Sequence, residues 1–92
     1  MTPEKIKEEV IHLIYDILED KSFNANIIEY VDLVDDMGMD SITFILIILE
    51  IETRFNITVP DDMLLIENFR HIDSIVSIIE ENLIQFDGII NN

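Results

Sequence analysis

Apolar positions return at helical spacing three times along the chain. Ile6, Val10, Leu13, Ile14, Ile17 and Leu18 recur with a period of ~3.6 residues after a start signal of Thr2, Pro3 and Glu4, so the pattern predicts an amphipathic helix ending near Glu19. From Asp20 to Met39 no period is sustained. Ser22, Asn24 and Asn26 give way to Tyr30, Val31, Leu33 and Val34, and the segment reads as a long ordered loop. Loops of that length without secondary structure are uncommon in compact domains and tend to be functional.

Ser41 to Phe55 is so densely apolar that a buried strand competes with a helix. Length and capping favour the helix: the run is long for a strand, Asp40 is a good N-cap, and Glu50, Glu52 and Arg54 could not sit in a strand buried on both faces. On a helix, Phe44, Ile47, Ile48, Ile51 and Phe55 form one stripe, and Ile42, Ile45, Leu46 and Leu49 form a second. Only one can be the ordinary core stripe. Asn56 then reads as a turn and Ile57-Thr58-Val59-Pro60 as extended, followed by a short helical turn over Asp61 to Ile66. The last helix runs from about Ile72 to Ile84, with Ile72, Ile75, Val76, Ile79 and Leu83 on one face. Gln85 to Asn92 read as a fraying tail. With 2 Gly and 2 Pro in 92 residues, turns are few and the fold class is all-α, in a single domain over 1–84.

Composition narrows the function. Against 20 Asp and Glu stand 5 Lys and Arg, a formal charge of −15, yet 49% of the residues are hydrophobic, so the charge covers a folded surface. An acidic shell repels nucleic acid and anionic membranes and attracts basic protein surfaces. With 0 Cys, disulfides, thiolate metal ligands and a protein thiol nucleophile are excluded. No signal-peptide pattern opens the chain, and Phe44 to Leu49 is the longest apolar run, far short of a membrane span; the expectation is a cytoplasmic monomer.

Few constellations carry chemistry. Asp32, Asp35, Asp36 and Asp40 suggest a cation site, but a calcium loop starting at Asp32 would place Val34 at its third position and Met37 at its sixth. His12 and His71 lie on different elements without a partner for zinc or base catalysis. Gly38 and Gly88 stand alone, so there is no phosphate-cradling loop. Nothing points to an enzyme. Ser41 is more specific: it follows Gly38-Met39-Asp40 and opens the densest apolar helix, where free N–H groups and the helix dipole suit an attached phosphate. Its bland alternative is a cap or an ordinary surface serine.

The run Asp35-Asp36-Met37-Gly38-Met39-Asp40-Ser41-Ile42 resembles the attachment motif of the acyl carrier protein family, with its acidic and apolar lead-in, Gly, and Asp-Ser-Leu/Ile. Glu52, Phe55 and the Val59-Pro60-Asp61 turn follow in register, so the resemblance covers nearly the whole chain. It implies a four-helix bundle of three main helices and a short third one, with a long loop between the first two. It also implies a 4'-phosphopantetheine arm, taken covalently from coenzyme A onto Ser41 by a phosphopantetheinyl transferase that supplies the magnesium and the base. Asp40 would serve transferase recognition or positioning. The arm's thiol would hold acyl groups as thioesters, consistent with the missing cysteine.

By the same register, Phe44, Ile47, Ile48, Ile51 and Phe55 face the core together with Ile6, Val10, Leu13, Ile75, Val76 and Ile79. Ile42, Ile45, Leu46 and Leu49, with Glu52 as a nearby charge, would then form a partner-docking face. That face is more hydrophobic than is usual in fatty-acid-synthesis carriers, where Leu46 is commonly acidic. Partners would be ligases, synthases or transferases with basic and apolar docking surfaces, acting in fatty acid, polyketide or other specialised synthesis. An aminoacyl or peptidyl carrier is the alternative, and an unmodified acidic helical interaction module is the alternative of a different class. Between Asp61 and Ile72 the chain is about two residues longer than the family's usual spacing, which makes the short third helix the least defined element.

Overall fold

The computed structural model describes residues 2–18 and 24–90, with the side chains of residue 25 and of 84–90 left out. Among the described residues four α-helices form: α1 Pro3–Leu18, α2 Ala25–Ile28, α3 Ser41–Phe55 and α4 Ile72–Ile90. Two 3₁₀ turns, Asp61–Met63 and Ile66–Phe69, lie between α3 and α4. No strand occurs among the described residues.

The amphipathic pattern accounts for the packing. α1 buries Ile6, Val10, Leu13 and Ile14, α3 buries Ile47, Ile48, Ile51 and Phe55, and Ile72, Ile75, Val76 and Ile79 of α4 complete the core. α1 packs most extensively on α4 and then on α3. Phe44, the expected fifth member of the α3 stripe, is half-buried at the edge of this core. Removing one of the fully buried isoleucines to Ala would cost ~2–5 kcal/mol, from lost transfer energy and the cavity left behind.

Three elements depart from the sequence expectation. The segment expected to be a long ordered loop contains α2: the Asn24 side chain caps it by accepting from Asn26 N–H at 2.8 Å. Ile28 anchors it, fully buried, and Lys7 of α1 holds it through Glu29 at 2.8 Å. Lys7 also reaches Asp73 of α4 at 3.1 Å. The part of that loop over 19–23 lies outside the described residues, and so does Glu19, the expected end of α1. The expected short helical turn does begin at Asp61, but as a 3₁₀ turn, and a second 3₁₀ turn follows it in place of one continuous winding. Leu64 (φ −81°, ψ 58°) leaves the helical region and Leu65 is extended, so the winding that begins at Asp61 breaks and restarts at Ile66. The third departure is α4, which continues through residues 85–90, where the sequence suggested a tail; Asn91 and Asn92 lie outside the described residues.

Candidate functional site

Gly38 leads into the site. Its φ of +73° lies in the left-handed region that favours glycine, and the turn it closes brings Met39 into the core, 3% exposed, while Asp40 emerges at the surface. The turn is stitched by backbone bonds: Gly38 N–H donates to Val34 O at 3.1 Å, and Met39 N–H to Leu33 O at 2.9 Å.

Asp40 is the N-cap of α3. Its extended backbone (φ −111°, ψ −177°) starts the helix, and its Oδ1 accepts from Thr43 N–H at 2.8 Å. That N–H, with the Thr43 hydroxyl next in weight, holds the Asp40 carboxyl below the usual carboxylate range. The carboxylate is therefore ionised and committed to the helix end. Ser41 is the first residue of α3 and is exposed, one position past this cap.

Downstream, Ile42, Ile45, Leu46 and Leu49 are 73%, 55%, 50% and 55% exposed, and together they form an apolar outer stripe along α3 beside Ser41. Glu52 does not belong to it in the same way. The side chain is half-buried, and its Oε2 accepts from Val59 N–H at 2.9 Å, tying the end of α3 to the extended segment after it. Asn56, left-handed at φ 54°, makes that reversal, and its neighbour Ile57 donates its N–H to Glu52 O at 3.2 Å.

Upstream, the structure adds a residue that the sequence reading did not single out. Arg70, between the second 3₁₀ turn and α4, places Nε 2.9 Å from Asp32 Oδ2, Nη2 2.8 Å from Asp35 Oδ1 and Nη1 3.0 Å from Glu67 Oε1. Asp32 Oδ1 also accepts from the N–H groups of Val34 and Asp35, each at 2.9 Å. The Asp35 N–H first, and then Arg70, lower the Asp32 carboxyl against the opposing effect of burial. A lone Arg followed by His gives no local signal of this role, because the pairing spans residues 32 and 70. His71 Nε2 stands 3.9 Å from Asp32 Oδ2, and His12 is exposed on α1. Among the described residues no three His, Cys, Asp or Glu side chains gather as a metal site. No helix among them is long and apolar enough to cross a membrane.

The arrangement is an all-α bundle that presents one capped, exposed serine at the start of a long helix flanked by an apolar face. The family model for phosphopantetheine attachment sites matches residues 24–79, more than half of the chain, and the chain belongs to that family. Domains of this family carry a covalently attached 4'-phosphopantetheine and act as carriers that meet a phosphopantetheinyl transferase and biosynthetic enzymes. No curated protein and no solved structure matches the chain.

Proposed function

We propose that the chain is an acyl carrier whose 4'-phosphopantetheine is attached at Ser41, within a carrier domain of residues 1–84 extended by 85–92. The observation that carries this reading is the exposed Ser41 hydroxyl at the first turn of a 15-residue helix, in a chain of the attachment-site family. The residues fit the group: the helix N-terminus suits a phosphodiester, and Asp40, as the N-cap bonded to Thr43 N–H, holds the turn that Ser41 opens. In the attachment step Ser41 Oγ bonds to the β-phosphorus of coenzyme A as the pyrophosphate P–O bond breaks. Adenosine 3',5'-bisphosphate leaves, and the hydroxyl proton passes to a base of the transferase. Asp40, occupied with Thr43 N–H, positions and is recognised; it is not that base. When bound, the arm supplies the thiol that holds an acyl group as a thioester, which suits a chain with 0 Cys.

Ile42, Ile45, Leu46 and Leu49 are the proposed docking face, for a ligase, synthase or acyltransferase with an apolar contact rimmed by basic residues. Glu52, tethered to Val59, contributes at the edge of that face. A charge of −15 supports a monomer that avoids nucleic acid and anionic membranes, and the proposed place of action is the cytoplasm. The chain performs no chemistry of its own beyond offering Ser41. Treatment with a broad-specificity transferase and acetyl-coenzyme A yields an acyl-protein that neutral hydroxylamine deacylates, and Ser41→Ala yields none. An acyl group that resists hydroxylamine contradicts the thioester.

A further inference from the structure

Residues 69 and 70 touch the chain on both sides of Ser41. On the helical side, Phe69 is fully buried and sets its ring edge-on to Phe44, three residues past the serine, with centroids 5.2 Å apart and planes at 63°. On the approach side, Arg70 O accepts from Leu33 N–H at 2.7 Å, and Leu33 O in turn accepts from Met39 N–H at 2.9 Å, two residues before the serine. The Arg70 side chain repeats the hold through both oxygens of Asp32, at 2.9 and 3.2 Å, and through Asp35 at 2.8 Å.

Charge makes the guanidinium hard to replace. Asp32, Asp35, Asp36 and Glu67 crowd one corner of a chain of net charge −15. Arg70 contacts three of the four, with His71 at 3.9 Å from Asp32 as the other basic group nearby. Without it the carboxylates repel, and the segment that delivers Ser41 is held only by its backbone bonds and by the buried Leu33, Met37 and Met39. A lysine would bring charge without the planar fork that engages several carboxylates at once.

We propose that Phe69–Arg70 is a two-sided clamp on the attachment serine, with Arg70 as a positioning residue that orders residues 32–39 for the transferase. This rests on the carrier reading above. Loss of the clamp lowers the fraction of molecules that present Ser41 correctly, and apparent affinity for the transferase falls by that fraction.

The test compares wild type, Arg70→Gln, Arg70→Lys and Asp35→Asn in transferase kinetics with coenzyme A and in amide hydrogen exchange. Arg70→Gln should raise the KM for the carrier about tenfold with kcat held, the effect of cutting the competent fraction to about a tenth. The amides of Gly38 and Met39 should exchange faster while those of Leu13 and Ile75 keep their protection. Arg70→Lys should fall between, and Asp35→Asn, an exposed arm that does not threaten the core, should move both readouts in the same direction. A wild-type KM in Arg70→Gln overturns the clamp, and so does uniformly faster exchange through α1 and α4, which marks a merely structural residue. A wild type that takes up no phosphopantetheine defeats the carrier reading instead, and the exchange data still decide whether Arg70 orders the segment.

Discussion

Gly38 has a conformational and not a spatial requirement. At φ +73° a Cβ would meet nothing within 4 Å, so Gly38→Ala carries only the left-handed backbone penalty. That substitution is expected to lower stability by about 1–2 kcal/mol, read as a shift in urea midpoint at constant m-value, with Gly38→Asn losing less. Asp32 gives a pH signature. Its folded pKa lies below the unfolded value, so the stability contributed by its partners is fully present above an unfolded pKa of about 4 and is lost as pH falls through the folded value. The stability difference between wild type and Asp32→Asn should therefore be at its full size at pH 7. It should shrink below pH ~4 in a series of urea titrations. A gap that widens on acidification contradicts the assignment. Asp40 and Ser41 were legible as residues, because cap and hydroxyl are adjacent in sequence. The tether of Glu52 to Val59 was not, since an acid seven positions before the N–H it accepts from has no periodic signature.

At the scale of elements, α3 shows why two apolar stripes can share one helix. Ile47, Ile48, Ile51 and Phe55 are consumed by the core, and Ile42, Ile45, Leu46 and Leu49 are left outside it. The sequence displayed both stripes through their spacing alone. Leu46→Asp with Leu49→Asp should leave the helical circular dichroism unchanged, since both side chains are half or more exposed, while weakening acyl transfer to the cognate partner. Unchanged transfer defeats the docking face. The elements that were not legible are those held by contacts between distant residues. α2 stands on Asn24, Ile28 and the Lys7–Glu29 pair, and too few residues wind there for a period to show. The split third helix follows from the backbone at Leu64 and Leu65, where Leu65 is 58% exposed and no core contact draws it inward.

For the whole molecule, the charge of −15 is only locally neutralised. Lys5 lies near Glu9, Lys7 bridges Glu29 and Asp73, Arg54 reaches Glu9 and Glu50, and Arg70 gathers Asp32, Asp35 and Glu67. The remaining acids repel one another across a small surface, and exposed ion pairs contribute little to offset this. Raising salt from ~0.01 to ~1 M shortens the screening length from about 30 to about 3 Å, so the Tm should rise by several degrees. A falling Tm would mean that the ion pairs outweigh the repulsion. On the proposed reading, the same field would steer basic partners toward the bundle, and the apolar stripe beside Ser41 would select among those that arrive. All of this depends on Ser41 being the attachment point. The most direct measurement is the intact mass of wild type and Ser41→Ala after incubation with a broad-specificity transferase and coenzyme A. The carrier account predicts a single phosphopantetheine-sized gain in wild type, mapped to the peptide containing Ser41 and absent from the variant. No gain in a folded wild type, or a gain that survives in Ser41→Ala, contradicts it.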